Sequence, residues 1–231
     1  CGLGRSETLF GSAGHPVPGY AFEVLDAEGK PLPAGEIGEL VVKLPLPPGC
    51  LPTLWRNHDG FVGSYLSRHP GYYSAGDAGF IDDDGRIHIM SRIDDIINVA
   101  GHRLSTAGIE QIIGGHPAVA ECAVVGAADA LKGMLPVALF VRKANVDADD
   151  RTVAQEIVAR VRSELGPVAA FRTAAAVEQL PKTRSGKILR SVIRDLADGR
   201  EPKVPATIEA PTAVEVAKTA LASVGYSPSP A

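Results

Sequence analysis

The chain has 231 residues, enough for one large domain or two small ones around a sizeable core. Hydrophobic residues make up 45%, charged residues 22%, and the formal net charge is −4, so nothing in the balance suggests nucleic acid as a partner. No apolar run is long enough to cross a bilayer and the opening residues lack a leader pattern, so a membrane role is not expected.

Cys1, Cys50 and Cys122 are scattered and odd in number, which argues against a disulfide framework and fits the reducing cytoplasm. The six histidines show no metal-ligand spacing. Because the chain opens at Cys1 and not at Met, a piece of a longer product is expected.

In chain order, Tyr20 to Asp26 and Ile37 to Leu44 read as strands, joined through the turn signals around Gly29 and Pro33. The Pro-rich stretch Pro45 to Pro52 excludes regular structure. Asp82 to Gly85 marks a tight turn into a strand over Arg86 to Met90. Ser105 is placed to cap a helix that carries Ile109, Ile112 and Ile113 on one face and stops at Gly114-Gly115. Val119 to Gly126 and Leu135 to Lys143 read as buried strands. Asp149 and Asp150 open a helix with Val153, Ile157, Val161 and Leu165 at four-residue spacing, ended by Gly166-Pro167.

A strand over Thr173 to Val177 follows, then a helix after Gly186 with Ile188, Leu189, Val192, Ile193 and Leu196 inward. Pro211 to Leu221 reads as a loose helix and Ser227 to Ala231 as a frayed end. The fold expected is α+β. A β-rich segment over 1–93, a small sheet or distorted barrel, precedes a small α+β domain over 94–205 and a partly disordered tail over 206–231.

Three stretches carry the chemistry. Leu180-Pro-Lys-Thr-Arg-Ser-Gly-Lys187 sets a lysine on a Gly-flanked turn, a mobile point charge suited to phosphate or carboxylate. A P-loop is excluded, because Ile188 stands where that loop needs Ser or Thr. Tyr72 to Gly79 places Asp77 in a Gly-flanked turn, where a carboxylate accepts hydrogen bonds from ribose hydroxyls. Ser91 to Leu104 puts Arg92, Arg103, Asp94 and Asp95 around a short apolar strand. Each reads equally well alone as a basic loop, a turn or a surface ion-pair cluster.

Together, in this order, the three stretches resemble the signature set of the adenylate-forming superfamily of acyl-CoA synthetases, luciferases and peptide-synthetase adenylation domains, from about Gly11 to about Ala206. Val42 to Trp55 and Asp95 to Ser105 are most similar to the propionyl-CoA synthetase branch, with acetyl-CoA synthetases next. Ser91 departs from the glycine that most members carry there. The superfamily's Ser/Thr/Gly-rich phosphate loop and its aromatic-Thr-Glu motif are absent from the chain.

The resemblance implies that 1–93 is the distal, β-rich part of the AMP-binding N-terminal domain and 94–205 the small mobile C-terminal domain. It implies ATP with Mg²⁺, CoA as co-substrate and a short-chain carboxylic acid, with the rest of the N-terminal domain required. Asp77 and Arg92 would hold the ribose, Arg103 the ATP phosphates, and Lys187 the carboxylate and α-phosphate during adenylation. Asp94 would be the hinge. Ala100 and Gly101 would line the pantetheine tunnel and Arg162 would meet a CoA phosphate. A metal would sit at Gly114, His116 and Val119, and Lys187 would be open to regulatory acetylation. A different class stays open: a truncated, non-catalytic protein that binds a nucleotide or partner through the same fold. An adenylation domain of a peptide synthetase is disfavoured, because no carrier-domain serine motif follows Leu196.

Overall fold

The computed structural model describes residues 9–146 and 148–226. The chain falls into two compact units that part between Asp94 and Asp95. Cys1 and Ser227 to Ala231, read above as an unusual start and a frayed end, lie outside the described residues.

The first unit is built on an antiparallel sheet of Phe22–Leu25 (β1), Gly38–Lys43 (β2), Tyr72–Ile81 (β3) and Ile87–Arg92 (β4), in that order across the sheet. It is an open four-stranded meander, so the sheet alternative holds and the barrel does not. In the β1–β2 connection the Asp26 carboxylate accepts the backbone N–H groups of Glu28 and Lys30 at 2.9 and 2.8 Å, which nucleates the expected turn. Val24, Leu40 and Ile87 make its small buried cluster.

Two elements of this unit escape the sequence patterns. His58–Tyr65 (α1) is short, carries Gly60 and Gly63 and buries only Phe61, so no apolar stripe announces it; Asn57 caps it through Gly60 N–H at 3.0 Å. Tyr72 to Gly79, read as a turn, is most of strand β3. Its glycines serve the strand: a Cβ on Gly79 would lie 2.0 Å from the His88 carbonyl oxygen of β4, so only glycine allows the two backbones to close.

The second unit is a sheet with helices on both faces. Its strands are Ile96–Val99 (β5), His102–Ser105 (β6), Val119–Asp129 (β7), Gly133–Arg142 (β8) and Thr173–Ala176 (β9). The path runs β6-β5-β8-β7, and β9 pairs with β8 in parallel, reached through the crossover helix Asp150–Leu165 (α3). Side chains alternate between the faces, as strand geometry requires. Val124, Ala138, Phe140 and Ala174 point towards α3 and Thr106–Gly114 (α2). Ala123, Val125, Val137, Leu139 and Ala175 point towards Arg190–Ala197 (α4) and Thr212–Ser223 (α5).

Three local expectations change here. Ser105 occupies the position before α2 but makes no capping hydrogen bond, whereas Asp149 does cap α3, accepting Thr152 N–H at 3.1 Å. The helix expected directly after Gly186 starts later, at Arg190, because a bridge between Lys182 and Ile188 holds the intervening residues in a turn. The loose helix near the C-terminus is instead a packed one, with Ala217 and Leu221 fully buried against the sheet.

Candidate functional site

In the first unit, Asp77 and Arg92 sit directly opposite each other on β3 and β4. The Arg92 guanidinium donates to the Ala75 carbonyl at 3.0 Å and to Asp77 Oδ1 at 3.5 Å, and its Nε donates to Asp94 Oδ1 at 3.3 Å. This leaves an arginine bridging two carboxylates at the end of the sheet, with one face open to solvent. Gly76 makes the contact possible. It adopts φ 76°, and a Cβ there would come within 2.8 Å of an Arg92 terminal nitrogen. The register shifts between Ala78 and Gly79, a bulge of the kind that re-aims side chains beside a site.

In the second unit, β5 and β6 form a hairpin whose two turn residues, Ala100 and Gly101, have φ of 47° and 87°. Two positive φ values in succession are what a tight hairpin demands, and Ala100 is an uncommon residue to bear one. Its conformation is held by Ala100 N–H donating to the Lys132 carbonyl at 2.8 Å. The turn is exposed, and Arg103 is exposed two residues beyond it on β6.

Lys187 is exposed on the loop between Pro181 and Arg190, and that loop is rigidly braced. Thr183 N–H donates to the Lys187 carbonyl at 2.9 Å, while Lys187 N–H donates to Thr183 Oγ1 at 3.1 Å. Gly186, at φ 82°, turns the chain between them. Segment 207–209 then lies alongside: Arg184 N–H donates to the Thr207 carbonyl and Glu209 N–H to the Lys182 carbonyl, each at 2.9 Å.

Both ends of the loop are tied down by charge. Lys182 pairs with Glu121 on β7. Arg190 makes a two-pronged contact with Glu110 on α2, at 3.0 and 2.8 Å, and Glu110 also accepts Val124 N–H at 2.8 Å. The Glu110 carboxylate holds the Arg190 guanidinium even more firmly protonated than usual. Cys122, beside this pair, has its thiol pushed up to about 11, chiefly by burial and then by the Glu110 charge. Sequence reasoning missed Glu110, Lys182, Arg190 and segment 207–209. Only the basic run 182–190 hinted at them, and its partners lie far away in the chain.

The family model described as "AMP-binding enzyme C-terminal domain" matches residues 108–187. The mouse protein named acyl-CoA synthetase short-chain family member 3, mitochondrial, is 51% identical over 91% of this chain and 31% of its own length. The acetyl-coenzyme A synthetase of Pyrobaculum aerophilum is 43% identical over 91% of this chain and 31% of its own. Among solved structures, ATP-bound MatB of Rhodopseudomonas palustris matches with a TM-score of 0.65 and 28% identity, covering 81% of this chain and 36% of that one. Over most of its length, then, the chain is homologous to short-chain and acetyl-CoA synthetases, and it spans about a third of the curated relatives it matches.

The position expected to hold a metal lies in the second unit. Gly114 ends α2 and Val119 opens β7, with His116 buried between them. His116 Nδ1 accepts Ala118 N–H at 3.2 Å, so Nε2 carries the proton and faces Glu156 on α3 at 3.1 Å. Both ring nitrogens are therefore engaged. Among the described residues no three His, Cys, Asp or Glu side chains are grouped to hold a metal. His116 joins the α2–β7 turn to α3 through Glu156. Arg162, in the last turn of α3, is exposed.

Proposed function

We propose that this chain is the C-terminal part of an AMP-forming short-chain acid–CoA ligase, acting on propionate or acetate. The observation that carries the reading is Lys187, an exposed ammonium on a loop fixed by backbone pairing on both sides and by ion pairs at both ends. A cation held so firmly loses little to reorganisation when negative charge gathers beside it.

In the first step an oxygen of the acid's carboxylate attacks the α-phosphorus of ATP. A bond to that phosphorus forms as the bond to the pyrophosphate oxygen breaks, and pyrophosphate carries away the electron pair. Lys187 bridges the attacking carboxylate and the α-phosphate. Asp77, oriented by Arg92, accepts hydrogen bonds from the ribose hydroxyls, and Arg103 contacts the phosphates. Mg²⁺ accompanying ATP would neutralise part of its phosphate charge.

In the second step the CoA thiol loses its proton and its sulfur bonds to the acyl carbon, while the bond from that carbon to the phosphate oxygen breaks and AMP leaves with the electron pair. Ala100 and Gly101, whose turn offers almost no side chain, line the path of the pantetheine arm, and Arg162 meets a CoA phosphate. Asp94 is the hinge between the two arrangements. The acid pocket and the rest of the nucleotide site come from a larger N-terminal domain, on which the chain depends for turnover. The work is placed in the cytoplasm, although the mouse relative is named as mitochondrial. No helix among the described residues is long and apolar enough to cross a membrane.

The test is to join the nucleotide- and acid-binding domain of a short-chain synthetase to this chain and measure acid-dependent ATP–pyrophosphate exchange. Exchange with propionate or acetate is expected; none with any short acid would sink the reading. Acetylating Lys187 removes its charge and is expected to silence exchange, and unchanged exchange would discard that regulatory role.

A further inference from the structure

Glu39 on β2 is 7% exposed and Ser74 on β3 is 6% exposed, so both polar side chains are held inside the first unit. Arg68 Nε donates to Glu39 Oε2 at 2.9 Å, and His69 Nε2 faces the same oxygen at 3.1 Å. Two neighbours therefore crowd one carboxylate oxygen while the other is left bare. Among the described residues, Glu39 Oε1 and Ser74 Oγ are buried side-chain oxygens with no hydrogen-bond partner. A buried polar atom without a partner is costly, and a carboxylate oxygen especially so.

Strand geometry brings these two residues together. Val41 is directly opposite Ser74 and two residues from Glu39, so all three side chains share one face of the sheet. Glu39 and Ser74 are diagonal neighbours, a relation in which Cα atoms lie about 7–8 Å apart and a long side chain can reach across. They make no direct hydrogen bond. A single water, both donor and acceptor, completes both atoms at once. A cation fits less well, because Arg68 already neutralises the carboxylate.

The place matters because the ladder skips two residues between these anchors. Leu40 pairs with Asp77 and Val41 with Ser74, so Ala75 and Gly76 bulge out of β3. Ser74 stands before the bulge, while Glu39, opposite Ala78, is level with the chain beyond it. A link from Glu39 to Ser74 therefore spans the bulge from the β2 side. From the β4 side, the Arg92 guanidinium donates to the Ala75 carbonyl at 3.0 Å. Migration of the bulge by one residue would turn Asp77 to the opposite face.

We infer that one internal water joins Glu39 Oε1 to Ser74 Oγ, and that this bridge makes Glu39 and Ser74 positioning residues for Asp77 by locking the Ala75–Gly76 bulge. What Asp77 then binds, the ribose of ATP, rests on the ligase reading; the bridge itself does not.

The experiment first records water-to-protein NOEs and side-chain resonances of the 231-residue chain. A long-lived water is expected beside Ser74, indifferent to the exchange of sodium for potassium and lost in Ser74→Ala. That variant removes a single oxygen, and it is expected to shift the Gly76 amide and Arg92 Nε–H resonances, as is Glu39→Gln. Ser223→Ala, exposed in the second unit, is the control and shifts neither. In the enzyme assembled with a synthetase N-terminal domain, Ser74→Ala is expected to raise the KM for ATP about fivefold, the worth of one weakened hydrogen bond. The KM for the acid stays at the parent value. The inference is overturned if no long-lived water is found, if a monovalent cation takes its place, or if Ser74→Ala leaves the Gly76 and Arg92 resonances unmoved. It is equally overturned if, in an active assembled enzyme, the two KM values rise together or not at all. Absent pyrophosphate exchange in the parent assembly counts against the ligase reading alone, and the resonances of the 231-residue chain still decide the bridge.

Discussion

At the scale of single residues, Gly76 sets where the Arg92 guanidinium lies at the end of the first unit's sheet. Replacing Gly76 with Ala puts a methyl group 2.8 Å from the guanidinium and a Cβ on a backbone with positive φ. The expected cost is about 1–2 kcal/mol in urea unfolding, with a displaced Arg92 Nε–H resonance. An unmoved resonance would show that the glycine does not set the arginine's place. Cys122 tests the burial of the second unit in the same way. With its thiol pushed up to about 11, it has little thiolate at pH 8 and is expected to resist iodoacetamide until the chain is unfolded. Asp82 is held below the usual carboxylate range, first by its hydrogen bond to His88 and then by Arg86 N–H. A depressed carboxylate stabilises the fold above its ordinary range and gives that up as pH falls through the lowered value. The β3–β4 turn is therefore expected to lose amide protection only in distinctly acid solution, and Asp82→Asn to lose it already at neutral pH.

Elements explain why some of the molecule was readable and some was not. α3 shows its four-residue apolar spacing and its Asp149 cap directly, and β7, β8 and β9 are buried runs between turn signals, so these were legible. β3 was not, because Gly76 and Gly79 look like a turn until a neighbouring strand explains why side chains are excluded there. The lysine loop was found, but its supports were not, since Glu110 and Glu121 lie 80 and 61 residues away from the residues they hold. α5 was underrated because Ala-rich helices advertise no strong stripe, yet Leu221 has no exposed surface. Leu221→Ala is accordingly expected to cost about 2–5 kcal/mol; a neutral result would mean that α5 is an appendage. Glu110→Gln keeps an acceptor for Val124 but loses the charge facing Arg190. It is expected to lower adenylation more than thiolysis, and equal losses would reduce Glu110 to a purely structural role.

For the molecule as a whole, the division between Asp94 and Asp95 separates Asp77 and Arg92 from Arg103, Arg162 and Lys187. Under the proposed mechanism the second unit serves two half-reactions in turn, presenting the lysine loop for one and the Ala100–Gly101 hairpin for the other. Fixing φ at the boundary with Asp94→Pro is expected to preserve one half-reaction and depress the other. The central claim, that Lys187 serves the adenylation step alone, has a direct measurement. In the enzyme assembled from this chain and a synthetase N-terminal domain, Lys187→Ala is assayed for both acid-dependent ATP–pyrophosphate exchange and CoA thiolysis of supplied acyl-AMP. The account predicts that exchange falls by at least about a hundredfold while thiolysis persists; loss of both to the same degree, or of neither, would contradict it.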